Sequence, residues 1–299
     1  MQWLQWWILR LMSSLIHKAF QGKSVLITGG SSGIGLALAE DLASVGAIVT
    51  ILARNQERLL NAAEAIKSHS LTSSQQIIAL QGDIANRCEI TRILTDYIHQ
   101  HGIPDILINS AGVVHPGEFL DLSPDLFDWM MDINFHGTVN VTRIIVPGMI
   151  ERRSGIIINI ASFAAILGVF GYTAYSASKF ALRGFSDALR SEIRPHNIQV
   201  SIVYPWDTQT PQLEYENQYK PELLKILDES GKVMSAKQVS QIILRDVARR
   251  KQVITPGFDA TLYYHMANFL GPLTYHVLDL MILQAKQTLK KRKQSIKSM

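Results

Sequence analysis

Tyr175 and Lys179 stand four residues apart, which puts both side chains on one face of a helix about one turn from each other. The pair has a chemical use. A phenol titrates at about 10 and holds its proton at neutral pH. An ammonium beside it stabilises the phenolate and brings proton transfer toward the working range. Ser162 precedes the tyrosine by thirteen residues and follows the apolar run Gly155–Ile160, so its hydroxyl can meet the same substrate oxygen from the sheet side. A tyrosine and a lysine at this spacing are common in helices. They gain weight from what lies upstream.

Directly after the run Ser24–Thr28, the segment Gly29-Gly30-Ser31-Ser32-Gly33-Ile34-Gly35 opens a helical pattern. Glycines at this point permit a tight turn and let the backbone approach a pyrophosphate, while the helix N-terminus offers free N–H donors. Gly29, Ser31, Ser32, Gly33, Ile34 and Gly35 are therefore candidate residues for holding a dinucleotide. About 20 residues on, such a site usually carries an acid for the ribose 2′-hydroxyl. Here the second apolar run ends in Leu52-Ala53-Arg54-Asn55, with no acid. Arg54 can instead bind a 2′-phosphate, which favours NADPH over NADH; the alternative is a solvated arginine at a helix start. Asp83, Asn109, Ala111 and Gly112 follow the third and fourth apolar runs and fall at the same edge, as walls for adenine and its ribose.

The elements that must position these groups follow from periodicity. From Lys23 onward, β-branched runs (SVLIT, AIVTIL, IIALQ, ILIN, GIIINI, IQVSIVY) alternate with helical patterns. Alternation of this kind implies right-handed crossovers and a doubly wound parallel sheet, an α/β fold of the Rossmann type. Ser123 before Pro124, Asn86 with Glu89, and Ser235 with Gln238 have the spacing of helix N-caps, and a long helix is expected after Ser123. A polar stretch over 205–232, carrying Pro205, Pro211 and Pro221, is expected to form a substrate lid at the carboxyl edge of the sheet.

Three segments result: 1–21, 22–256 and 257–299. In the first, Leu4, Ile8, Leu11, Met12, Leu15 and Ala19 recur at helical spacing, and Trp3, Trp6 and Trp7 suit a bilayer interface. It is read as a retained amphipathic helix on a membrane surface; packing on the body or on a dimer partner is the alternative. In the last, an apolar aromatic stretch broken at Gly271-Pro272 is followed by Lys286, Lys290, Lys291, Arg292, Lys293 and Lys297. It is expected to form a membrane-associated helical hairpin with a basic tail, or else an oligomer interface. The composition, 47% hydrophobic and 18% charged, excludes disorder, and a net charge of +4 concentrated in that tail gives no nucleic-acid groove. The single cysteine, Cys88, forms no internal disulfide, and the histidines have no zinc-ligand spacing, so no metal is expected.

In their order and spacing the glycine segment, Asn109-Ser110-Ala111-Gly112, Ser162 and Tyr175-Ser176-Ala177-Ser178-Lys179 resemble the short-chain dehydrogenase/reductase family, over about 22–210. The resemblance implies an NADP-dependent oxidoreductase. Tyr175 would protonate a ketone as hydride arrives from the nicotinamide, Lys179 would bind its ribose, Ser162 would orient the carbonyl and Asn134 would complete a proton relay. Pro205 and Thr208 would lie beside the nicotinamide, although Trp206 stands where the family carries glycine. The run from Tyr204 to Pro221, with Phe127-Asp128-Trp129-Met130 and Glu151-Arg152-Arg153, resembles one subfamily, the 3-ketodihydrosphingosine reductases. That implies reduction of a long-chain 2-amino-1-hydroxy ketone in sphingolipid synthesis, with Asp207, Glu214 or Glu216 available to its ammonium. It further implies a site facing the cytoplasm, at the endoplasmic reticulum or a bacterial inner membrane. A homodimer or homotetramer is the family's habit. A 3-oxoacyl thioester or hydroxysteroid reductase would share the same catalytic residues, and a nucleotide-sensing scaffold would share the fold.

Overall fold

The computed structural model describes residues 14–229 and 233–297. Seven strands form one parallel sheet: β1 (Ser24–Thr28), β2 (Ile48–Ala53), β3 (Ile77–Gln81), β4 (Ile106–Asn109), β5 (Gly155–Ile160), β6 (Ile198–Val203) and the short β9 (Val253–Ile254). Their spatial order is β3-β2-β1-β4-β5-β6-β9. The strands read as nearly unbroken apolar runs because helices cover both faces, which is what a parallel sheet requires. Chain direction across the sheet reverses between β1 and β4, and the carboxyl ends on either side of that point open a crevice.

One face packs against α2 (Gly33–Ser44), α3 (Gln56–Ser68) and α10 (Ala236–Ala248), through Leu38, Leu42, Leu59, Ile66, Val239, Ile243 and Val247. The other packs against α4 (Arg87–His101) and α6 (Thr138–Arg152), through Ile90, Leu94, Val141, Ile145 and Met149. Residues 14–20 form the helical segment α1, whose Phe20 is fully buried and whose Ile16 and Ala19 lean on the first of these clusters. Trp3, Trp6 and Trp7 lie outside the described residues.

The helix expected after Ser123 is two helices. α5 (Pro124–Met131) ends in a π-helical turn, Asp132–Gly137, before α6 begins. The wider turn lets Gly137 sit against Ile84, whose Cδ1 is 2.6 Å from where a Cβ would stand, and turns Asn134 inward. The caps differ in kind. Ser235 and Gln238 make a complete capping box, and Asn86 Oδ1 accepts from Glu89 N at 3.2 Å. Ser123 makes no side-chain cap bond, so Pro124, preset for the first helical position, starts α5 without it.

The stretch after β6 holds a small two-stranded ribbon, β7 (Thr208–Gln209) with β8 (Met234–Ser235), and two helices, α8 (Pro211–Tyr219) and α9 (Glu222–Asp228). The last part of the chain is a helical pair, α11 (Phe258–Leu270) and α12 (Leu273–Lys297), turned at Gly271, whose φ of 52° suits glycine. α12 lies along α9, and Arg292 clasps Glu229 through two bonds of 2.6 and 2.9 Å while Lys293 meets Glu222 at 2.8 Å. Part of the basic tail is thus engaged with the lid. Among the described residues no helix is long and apolar enough to cross a membrane.

A line of buried amides crosses the sheet beneath its carboxyl edge. Asn109 Nδ2 donates to Asn159 Oδ1 (2.8 Å) and Thr142 Oγ1 (3.2 Å), and Asn159 Nδ2 donates to Ser186 Oγ (2.8 Å). Ser186 lies on α7 (Thr173–Ile193), so the line fastens that helix to β4 and β5. Replacing Asn159 by alanine removes two buried hydrogen bonds and leaves Asn109 Nδ2 only Thr142 Oγ1 and Ser186 Oγ only the Leu182 carbonyl. A stability loss of about 1–3 kcal/mol is expected in urea titration, from roughly 0.5–1.5 kcal/mol for each lost hydrogen bond.

Candidate active site

A cavity of about 330 Å³ opens over the crevice between β1 and β4. Its floor at one end is the glycine turn. Gly29 has φ of 69° and packs so closely on Ala111 that a Cβ would stand 2.7 Å from that residue's backbone. A Cβ on Gly35 would stand 2.3 Å from the Gly29 carbonyl oxygen. Thr28 Oγ1 accepts from Ser110 N and Ala111 N at 3.2 and 3.3 Å, locking the two loops side by side. α2 begins here with no acidic residue in its first turn and no side-chain bond from Ser32, so its first N–H groups are free for an anion. Backbone exposed by glycine at a positive helix end fits a pyrophosphate.

Gly29, Ser32, Gly33, Ile34, Ala111 and Gly112 line the cavity, and so do Ser162, Tyr175, Lys179, Pro205 and Thr208. Ser31 and Gly35 belong to the turn without reaching it. Asn109 does not line it either; its side chain turns under the sheet to Thr142 and Asn159. Arg54 and Asp83 stand together beyond the glycine turn, 3.8 Å apart, and Asp83 Oδ1 also accepts from Ala85 N. Arg54 remains half exposed, open to a phosphate.

Ser162 caps the short helical turn after β5. Its Oγ accepts from Ala164 N at 3.1 Å, which leaves its own hydrogen to point toward Tyr175 or toward a ligand oxygen beside it. Tyr175 and Lys179 project from the first turns of α7, both buried. The Lys179 ammonium lies 5.6 Å from the Tyr175 ring centre and donates to the Ile160 carbonyl at 3.2 Å. Burial lowers Lys179 to about 8. Tyr175 departs from expectation. Burial first, then the negative charge of Glu216, push its phenol above the ordinary range; hydrogen bonds from Ser162 and Gln212 pull the other way without prevailing. A phenol held in this way keeps its proton and is an acid in waiting. Asn134 is fully buried and its amide is committed: Oδ1 accepts from Val113 N (2.7 Å), and Nδ2 donates to Val113 O (2.9 Å) and Ser178 Oγ (2.8 Å).

Trp206 lines the cavity and stacks among aromatic rings. Its ring centre is 4.3 Å from that of Phe163 and 5.3 Å from that of Tyr263 on α11, nearly parallel to the latter. The tryptophan therefore ties the loop after β6 to the C-terminal helices, while Phe163 N donates to Pro205 O at 3.0 Å and keeps the proline in place. Leu278, Met281 and Ile282 of α12 complete the wall, an apolar side that periodicity marked only as a hairpin. Tyr172 and Glu216 also line the cavity. Tyr172 is the N-cap of α7, three residues before Tyr175, and nothing in its spacing marked it as a partner of Glu216.

Residues 23–220 match the short chain dehydrogenase family. The chain is 36% identical over 271 residues to the 3-ketodihydrosphingosine reductase of Bos taurus, covering 89% of this chain and 82% of that protein. To a 3-dehydrosphinganine reductase of Arabidopsis thaliana it is 37% identical, covering 79% and 70%. Among solved structures, a short-chain dehydrogenase from Sphingobium yanoikuyae in complex with NADPH superposes with a TM-score of 0.71 at 25% identity, over 84% of this chain and 95% of that one. Levodione reductase superposes with a TM-score of 0.73 at 23% identity, over 81% and 99%.

Because a methyl on Gly35 has only the Gly29 backbone to meet, Gly35→Ala is expected to displace the turn. At least about tenfold weaker NADPH binding is the expected result by calorimetric titration, since one lost charge-assisted bond already accounts for that much.

Proposed function

The chain belongs to the short chain dehydrogenase family, and we propose that it reduces the 3-keto group of 3-ketodihydrosphingosine to the alcohol, with NADPH as reductant. The observation that carries this reading is one cavity lined both by Ser162, Tyr175 and Lys179 and by apolar side chains of α12. A polar reacting head and a long hydrocarbon tail both find their surroundings there. The likeness to animal, plant and Dictyostelium discoideum reductases of that substrate supports it.

Bound NADPH supplies the hydride. The protein's own groups do the rest. Ser162 donates its hydrogen to the ketone oxygen and fixes the carbonyl against Tyr175. Tyr175, holding its proton through burial, gives it to the same oxygen as negative charge develops there. Lys179 stands by as the counter-charge to the phenolate that remains. Asn134 acts as a positioning residue: its amide joins Val113 to Ser178 on α7 and so sets that helix relative to the loop after β4. The guanidinium of Arg54 takes the 2′-phosphate.

Such a substrate resides in a bilayer, and the outer face of the C-terminal helices suits one. Phe258, Phe269, Leu273, Tyr275 and Leu280 stand exposed, and Lys286, Lys290 and Lys291 follow on the same element. A membrane surface meeting this face would bring lipid to the cavity wall made by α12.

The test is loss of NADPH absorbance on mixing detergent-purified protein with 3-ketodihydrosphingosine. Turnover that Tyr175→Phe lowers by at least about 1,000-fold supports the reading, because the variant lacks its general acid. An inert sphingoid ketone beside a reactive 3-oxoacyl thioester or steroid ketone would overturn the substrate. Arg54→Ala is expected to raise KM for NADPH about tenfold or more with little effect on that for NADH, as loss of one phosphate contact implies. The pH profile has a definite sign. Lys179 is charged below about 8 and neutral above, so reductive kcat/KM should decline as pH rises through that value.

A further inference from the structure

Helix α8 places a carboxylate beside the reacting groups where the transfer of hydride and proton has no use for one. Glu216 is 8% exposed and lines the same cavity as Ser162 and Tyr175. Its bonds are to neutral groups: Tyr172 Oη donates to Oε2 at 2.7 Å and Gln212 Nε2 reaches Oε1 at 3.4 Å. Lys220, the cation of this region, is taken up by Asp228 at 2.8 Å and Asp207 at 3.8 Å. Glu216 forms no ion pair among the described residues. An ionised carboxylate has about four acceptor positions, and two neutral donors leave capacity directed at the cavity.

Its location gives that capacity a meaning. Gln212 bonds to Glu216 and also acts on the Tyr175 hydroxyl, so the carboxylate stands one side chain from the proton donor. A carbonyl seated on Tyr175 and Ser162 would thus have Glu216 in the same cavity, on the side of Gln212, open to a substituent next to that carbonyl. Burial pushes Glu216 above the usual carboxylate range, and Lys220, paired with two aspartates, offsets this only in part. An organic cation offsets the rest, and a neutral substituent does not.

We infer that Glu216 is a specificity-determining residue: it receives an ammonium borne on the carbon adjacent to the reacting ketone, so that the cavity selects α-amino ketones over ketones of equal length without the amine. This rests on the reading that a lipid ketone is reduced at Tyr175. The arrangement also couples recognition to chemistry. Glu216 is, after burial, the group that most strongly holds the proton on Tyr175. An ammonium beside it offsets that charge and eases the proton's departure only when the matching substrate is present. A ketone lacking the amine leaves the carboxylate unmatched in a closed site, and loses both binding and this assistance.

The experiment compares two ketones of one chain length, 3-ketodihydrosphingosine and its analogue with hydrogen in place of the amine. Both are reduced by the wild type, Glu216→Gln and Glu216→Asp at saturating NADPH. The expected wild-type preference for the amine is about ten- to a hundredfold in kcat/KM, the worth of a charge-assisted hydrogen bond. In Glu216→Gln, which keeps an acceptor for Tyr172, that preference should collapse from both sides: KM for the amino ketone rises, and kcat/KM for the analogue rises as the charge that holds the Tyr175 proton is removed. Glu216→Asp should restore part of it. A wild type that reduces both ketones equally, or a glutamine variant that loses both in proportion, overturns the role of Glu216 and leaves the proposed reaction standing. A wild type inert to both ketones yet active on another lipid ketone overturns the proposed substrate and this inference with it. Should the glutamine variant fail to fold, the wild-type preference and the aspartate variant decide the matter.

Discussion

Beneath the cavity, the hydrogen bonds from Asn109 through Asn159 to Ser186 hold together the three elements on which the site depends. β4 carries the loop that walls the glycine turn, β5 leads into Ser162, and α7 presents Tyr175 and Lys179. An apolar interface between helix and sheet would tolerate sliding along the helix axis. Buried amides do not, because a shift leaves donors and acceptors unpaired in a medium of low dielectric. The register of α7 on the sheet, and with it the meeting of Ser162 and Tyr175, is set by this polar line across the core.

Desolvation then sets the chemistry. The same burial acts oppositely on the two titratable groups of α7: it discourages charge on Lys179, lowering it to about 8, and discourages charge on Tyr175, raising it. Each is thereby brought closer to its neutral form than in water. For a reductase this is a coherent state, since the phenol must arrive with its proton and the ammonium is needed only as that proton leaves. The lid contributes to the balance. Glu216 places a negative charge near the phenol, and a cationic substrate would cancel it on binding.

The C-terminal helices are part of this architecture. Trp206 stacks on Tyr263, and α12 lines the cavity with Leu278, Met281 and Ile282 while Arg292 and Lys293 fasten it to α9 and the residue beyond it. Trp206 packs on Phe163 and on Tyr263 of α11 and lines the cavity together with Pro205 and Thr208. One side of the helical pair is spent on the protein, and the other leaves Phe258 and Phe269 exposed.

The two-residue strands β7, β8 and β9 are too short to show as apolar runs, but the six longer strands, the glycine turn and the pairing of Tyr175 with Lys179 were legible in the amino-acid sequence. Each rests on local rules: apolar runs of strand length, glycine where backbone must approach backbone, and helical spacing of four. What sequence could not decide depended on contacts between distant segments. Asn109 read as a cofactor wall because it borders the Asn-Ser-Ala-Gly turn, yet the pleat points its side chain into the sheet toward Asn159, fifty residues away. The helix after Ser123 read as continuous, and the π-helical turn arises because Asn134 is drawn to Val113 and Gly137 to Ile84. The direction of the Tyr175 shift could not follow from its spacing to Lys179, since the larger influences are burial and a carboxylate brought over by α8. Glu216 itself stood among several acids of a polar stretch; folding alone distinguished it, by burying it beside Tyr172 with the cavity in front. Local propensity and spacing are properties of a segment, whereas burial and electrostatic environment belong to whatever the rest of the chain places around it.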